Sequence, residues 1–209
     1  MKKLLIVLIS GTVLLVAAVL FVIWLSWQPQ SWYAPPDYSQ QEVKKLADRA
    51  EYRLNEEFHA IRPMDEVWRL RITDEAMNAW LSGRLEGWLT HDQELEIPEE
   101  IYGLQVHTTP EGLWIAAMVE IEDSIARPVA TQVRVWFEKE KAYFEPISIR
   151  FGKIPVPVSI LKNVMKEMPA DANAVVPVVP LMDAREVEIK AIDFEEGAIV
   201  LSCRTILPN

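Results

Sequence analysis

The residues of this chain that could act chemically on a substrate are few and scattered. Its three histidines, His59, His91 and His107, fall on a predicted helix end, a loop and a strand, without the close spacing of a zinc site. There is no nucleophile elbow, phosphate-cradling glycine loop, CxxC pair or HExxH motif, and only seven glycines to build such turns. Acidic pairs such as Glu94 with Glu96, or Glu99 with Glu100, have the composition of a glycosidase carboxylate pair, but charges in a polar loop are more simply solvated. The single cysteine, Cys203, lies in an alternating apolar run and reads as a small buried hydrophobe rather than a reactive thiol. The sequence therefore predicts no catalytic residue, no metal and no cofactor. An enzyme ranks third among the readings, and would need titratable groups clustered in a cleft.

Apolar surface, by contrast, exceeds what one buried face requires. Along the strand from Leu113 to Ile121, one face carries Leu113, Ile115, Ala117, Val119 and Ile121, and the other Trp114, Ala116 and Met118. Such a strand is either sandwiched between layers or lines a groove for an apolar ligand. Flexible methionines serve both arrangements equally. The candidate groove residues are Met77, Trp80, Leu81, Trp88, Trp114, Met118, Ile160 and Leu161.

These residues must be positioned by elements whose order begins with a membrane segment. Lys2 and Lys3 precede an uncharged apolar run from Leu4 to Trp27. Spanning a bilayer core takes about 20 apolar helical residues, whereas a cleavable signal core has roughly 7–15, so a retained anchor is predicted over 1–27. A removed signal peptide is the alternative. The basic flank places the amino terminus in the cytoplasm and the remainder outside the inner membrane, with Trp24, Trp27, Trp32 and Tyr33 as an interfacial aromatic cluster. Residues 28–39 carry three prolines and read as a short stiff stalk. The rest, 40–209, is the length of one domain.

Within that domain Ser39 and Glu42 form a capping-box pair, and apolar residues from Val43 to Phe58 recur at helical spacing, predicting a helix over 40–59. Trp68, Leu70 and Ile72 alternate as a strand. Thr73 then caps a second helix whose stripe runs through Met77, Trp80, Leu81, Leu85, Trp88 and Leu89. From residue 101 a period of two predicts four meandering strands up to Phe151 and a final hairpin around Glu195-Glu196-Gly197, with a third amphipathic helix over 158–168 and an irregular stretch over 169–180. The predicted class is α+β: an N-terminal transmembrane helix, then a long antiparallel sheet packed with amphipathic helices.

Charge excludes some partners. Without Lys2 and Lys3, 19 of the 21 basic residues face 31 acidic ones, a formal charge of −12 outside the membrane. Nucleic acid is not expected as a partner. The same balance opposes charge-driven adhesion to anionic headgroups, although an average can hide a basic patch.

Short motifs carry a resemblance. Arg71-Ile-Thr-Asp-Glu-Ala-Met-Asn-Ala-Trp-Leu81, Ile149-Arg-Phe-Gly-Lys-Ile-Pro-Val-Pro157 and the terminal Glu196-Gly-Ala-Ile-Val-Leu201 occur in an order that resembles the YpmS-type single-pass membrane proteins. These are in turn similar to the tubular lipid-binding proteins typified by bactericidal/permeability-increasing protein. The resemblance implies a curved antiparallel sheet, with helix 158–168 against it and an apolar groove. This chain has no second copy of the module and no long helix after the sheet, so a closed lipid tunnel is not expected.

Two functions remain. One is a non-enzymatic lipid-binding or lipid-handling module with membrane lipid as partner. The other is a structural protein that docks an envelope protein complex through its acidic surface or a sheet edge.

Overall fold

The computed structural model describes residues 2–63, 66–92, 97–122, 125–138, 141–157, 159 and 174–207. The chain is α+β, with an N-terminal apolar helix and two antiparallel sheets. Helix α1 (Lys2–Trp27) contains the stretch Ile9–Trp27, of mean hydropathy 2.4 and long enough to cross a membrane. Its side chains from Ile9 to Trp24 stand exposed, as expected of a membrane anchor or a signal sequence rather than a core helix.

Helix α2 (Gln41–His59) begins where predicted but without the predicted cap. Gln40 occupies the cap position with no side-chain capping bond, and the Asp37 carboxylate accepts the Ser39 N–H at 2.9 Å. Strand β1 (Val67–Thr73) leads into α3 (Asp74–Gly83), and Thr73 caps α3 as predicted, its Oγ1 accepting the Ala76 N–H at 3.3 Å. The predicted long second helix is two. It breaks at Arg84, and α4 (Leu85–Asp92) carries the remainder of the apolar stripe. The Arg84 guanidinium is held by Asp48 and, at 3.6 Å, by Glu51, tying this break to α2.

The meander is present as β2 (Ile101–Thr109), β3 (Gly112–Glu122), β4 (Ile125–Glu138) and β5 (Lys141–Phe151), continued by β6 (Ile154–Val156). The stretch predicted to be irregular contributes two short strands, β7 (Ala174–Val175) and β8 (Val178–Pro180); β7 pairs with β5. The terminal hairpin, β9 (Glu186–Glu195) and β10 (Ala198–Ile206), is not an appendage of the meander. It forms a second sheet of order β1-β10-β9-β8, because β1 pairs with β10 in the register Leu70 to Leu201. The predicted helix 158–168, with Ile160 and Leu161, lies outside the described residues.

The core sits between α2 and this second sheet. Phe58, Trp68, Leu70, Val187, Leu201 and Cys203 are all buried, with Leu54 packed against them. Phe58 meets Trp68 edge-on at 6.0 Å, and the Arg62 guanidinium covers the same indole at 4.0 Å. Cys203 is fully buried, as its alternating run implied.

The proline-containing segment after α1, which reads as a spacer in sequence, lies along the meander. Gln30 donates to the Gly152 carbonyl at 2.5 Å and accepts from Arg150 at 2.9 Å. The Tyr33 hydroxyl donates to the Gly103 carbonyl at 2.7 Å, while Gln105 accepts the Ala34 N–H and donates to the Trp32 carbonyl. Gly103 has a left-handed φ of 63°, and a Cβ there would lie 2.8 Å from the Tyr33 hydroxyl oxygen, so only glycine lets the tyrosine approach.

Candidate ligand cleft

Four elements enclose an apolar cleft of about 330 Å³. Helix α2 supplies Ala50 and Leu54, β1 supplies Leu70 and Ile72, α3 supplies Ala76, Met77, Trp80 and Leu81, and β2 supplies Val106. Ala50 of α2 and Ala76 of α3 are the small residues of the lining, where larger side chains would take up part of the space. Glu51, Arg53 and Arg71 stand among the lining as its charged members. Arg71 is also paired with Glu195 at 2.9 Å.

The cleft keeps its shape because α3 is pinned to the free edge of β2. The Asn78 amide donates to the Val106 carbonyl at 2.9 Å and accepts the Val106 N–H at 2.7 Å. One helical turn earlier, Asp74 Oδ2 accepts the Thr108 N–H at 2.8 Å and lies 3.1 Å from His107 Nδ1, while Oδ1 accepts the Thr108 hydroxyl at 2.5 Å. The spacing of four puts both side chains on one helix face, and the strand edge they cover is thereby closed to further pairing. Residues 32–34 cover the next part of that edge, and the Trp32 ring stacks on His107 at 5.0 Å. Burial raises the Tyr33 hydroxyl to about 12, so it stays a donor throughout the physiological range.

The eight residues named from sequence fall into three groups. Met77, Trp80 and Leu81 line the cleft together. Trp88 lies edge-on to Trp80 at 6.1 Å, outside the lining, and is 42% exposed. Trp114 and Met118 are on β3, away from the cleft; Arg150 approaches the Trp114 ring at 5.0 Å, and Met118 faces Tyr102 and Pro128 across the sheet. Ile160 and Leu161 fall outside the described residues. Sequence reasoning missed Ala50, Leu54, Leu70, Ile72, Ala76 and Val106 as lining. Their signal was the shared inward face of α2 and β1, which periodicity reveals without showing that it borders empty space.

Of the four aromatic residues named for the membrane interface, Trp24 and Trp27 are exposed at the end of α1, whereas Trp32 and Tyr33 pack against β2. His59 and His107, the two histidines whose side chains are described, have separate partners. His59 Nδ1 contacts the Asn55 carbonyl of its own helix, and His107 faces Asp74. Among the described residues no group of three His, Cys, Asp or Glu side chains is arranged to hold a metal ion. No protein-family model matches the chain, and no curated protein matches it.

Proposed function

We propose that this protein is a membrane-tethered module that binds an apolar or amphiphilic ligand, with a lipid acyl chain as the intended occupant. The observation that carries the reading is the cleft over α2, β1 and α3, which falls within the roughly 300–1,000 Å³ of small-ligand sites. Most of its lining is aliphatic and aromatic, so partition supplies the main drive for binding, at about 0.8 kcal/mol per buried CH₂. Arg53 and Arg71 among the lining suit an anionic head on that chain. The likeness of short motifs to YpmS-type proteins, and through them to tubular lipid-binding domains with a curved sheet, points the same way. In this reading α1 is a retained anchor with its amino terminus in the cytoplasm, and the domain works on the outer face of a bacterial inner membrane.

The test is ligand occupancy. Full-length protein in detergent is mixed with a fluorescent fatty acid and compared with Ala50→Trp, which fills the cleft from α2. Saturable binding lost in the variant supports the reading. If the native protein takes up no fatty acid, or the variant takes it up equally, the cleft is not a ligand site. Docking of an envelope protein through the acidic surface or a sheet edge then becomes the better reading, the edge being one other than β2 over 103–108, which α3 and residues 32–34 cover.

A further inference from the structure

The seam between α1 and the meander is built from stretches of chain that hold no acid. Residues 4–36 carry no charge at all, and 125–137 and 146–157 carry Arg127, Arg134, Arg150 and Lys153 but no Asp or Glu, in a chain with 31 acidic residues. These stretches meet at the last turn of α1. The Arg127 guanidinium lies 3.2 Å from the centre of the Trp27 ring, and the Lys153 N–H donates to the Leu25 carbonyl at 3.0 Å. Gly152 donates to the Pro128 carbonyl at 2.7 Å, which makes Arg127 and Lys153 neighbours across β4 and β5. The average charge of the domain thus hides a basic patch at the exit of the apolar helix.

Two cations of that patch are available to a ligand. Arg150 is already engaged, bonded to Gln30 at 2.9 Å and 5.0 Å from the Trp114 ring. Among the described residues neither Arg127 nor Lys153 has a carboxylate partner. Lys153 is exposed; Arg127 is partly buried, and its Nη1 is buried without any hydrogen-bond acceptor. Trp27 cannot supply one, because the indole face attracts the charge while the indole itself only donates. Buried donors of this kind are nearly always satisfied, so the acceptor for Arg127 has to come from another molecule. Glu120 does not interfere. Its neighbour Val119 faces Arg127 in the ladder, and alternation turns Glu120 to the other side of β3.

Position says what that molecule is. The 19 residues Ile9–Trp27 make about 29 Å of helix, which matches a bilayer core of about 30 Å. With α1 across the membrane, Trp27 ends at the hydrocarbon boundary and Arg127, against its ring, stands at the level of the lipid phosphates. We infer that Arg127 and Lys153 form a headgroup site at the exit of α1 for the phosphodiester of an anionic phospholipid. Arg127 donates to the phosphate oxygens, and the Lys153 ammonium adds the second positive charge. A zwitterionic headgroup fits less well, because its own ammonium is repelled by the pair. The bound headgroup ties the last turn of α1 to β4 and to the turn before β6. The inference rests on α1 being a retained anchor and is independent of the acyl cleft.

The test counts lipids bound to the full chain in neutral detergent by native mass spectrometry, using phosphatidylglycerol and phosphatidylcholine with identical acyl chains. Phosphatidylglycerol should bind at least about fivefold more tightly. Arg127→Gln and Lys153→Gln should each remove most of that preference, and Lys45→Gln on α2 should leave it unchanged. Lys153 is exposed, so its variant keeps the fold even if that of Arg127 does not. The preference should persist with Ala50→Trp, and a preference that vanishes with it belongs to the cleft and overturns the seam site. Equal binding of the two lipids, or a preference that survives Lys153→Gln intact, also overturns it. Inorganic phosphate in hundredfold excess over lipid should not compete; if it does, a soluble phosphate is the ligand and the lipid assignment falls. Alkaline carbonate should leave the native chain in the membrane fraction. A released chain overturns the anchor and the site together, whereas a retained chain without headgroup preference overturns the site alone.

Discussion

Asn78 replaces a missing strand at Val106. Its side-chain amide accepts the Val106 N–H at 2.7 Å and donates to the Val106 carbonyl at 2.9 Å, as a neighbouring peptide would. Both residues are buried, so no water is at hand to take over either bond. Asn78→Ala leaves a buried donor and acceptor unpaired, and should lower unfolding stability by about 2–4 kcal/mol. Asn78→Asp should not rescue it, because a carboxylate cannot donate to the Val106 carbonyl. Denaturant midpoints of the three proteins check this; an Asp variant as stable as the parent would show that the donated bond contributes nothing.

Acid sensitivity should centre on Glu188, whose side chain is 11% exposed between Lys190 and Arg204. Burial pushes its carboxyl up, but the hydrogen bonds and charges of Lys190 and Arg204 outweigh this and hold it below the usual carboxylate range. A carboxyl with a lowered folded pKa binds fewer protons than its unfolded form, so stability rises with pH. The contribution is present in full above the unfolded value of about 4.3 and is lost as pH falls through the folded value. Glu188→Gln should therefore be less stable than the parent at pH 7, and the gap should narrow between about pH 5 and pH 3. A gap independent of pH would exclude Glu188 as the source.

Cys203 offers a direct readout of global opening. It is fully buried, and burial raises its thiol to about 11, with the Arg62 charge opposing weakly. A thiol reagent at pH 8 should leave the native chain unmodified and react within the denaturation transition. The reaction rate should follow the unfolding equilibrium, because Cys203 packs with Phe58, Trp68 and Leu201 in the central core. Rapid modification without denaturant would mean that the second sheet opens locally.

Local features of this fold were legible in sequence where period and turn chemistry agreed. Pro110-Glu111-Gly112 and Glu195-Glu196-Gly197, each between alternating runs, marked the β2–β3 and β9–β10 hairpins. The pairing of β1 with β10 was not legible, since alternation shows which face is buried and not which distant strand lies alongside. The break at Arg84 was hidden because the apolar stripe continues from Trp80 to Trp88 across it. At the cleft, Met77, Trp80 and Leu81 stood out as a helical stripe, whereas the lining residues Ala50 and Ala76 are small and carry no hydrophobic signal. Residues 28–38 looked like a spacer because three prolines dominate them; their partners at Gly103, Gln105, Arg150 and Gly152 are distant in sequence.

The docking of α1 on the sheet depends on Gly152. Its φ is 57°, which costs an L side chain about 1–2 kcal/mol. A Cβ there would also collide with the backbone carbonyls of Leu25 and Ser26. Those carbonyls cannot retreat alone, because Lys153 N–H is bonded to Leu25 O and Gln30 to Gly152 O. Gly152→Ala should therefore cost more in the full chain than in a chain shortened to residues 40–209, where only the backbone term survives. The shortened chain should already be less stable than the full one, having lost the bonds of Gln30, Trp32, Tyr33 and Ala34 to the meander. Measuring unfolding of all four proteins in the same detergent closes the cycle. A glycine effect equal in both lengths would show that α1 and the sheet do not bear on each other, and that the segment after α1 is a free tether.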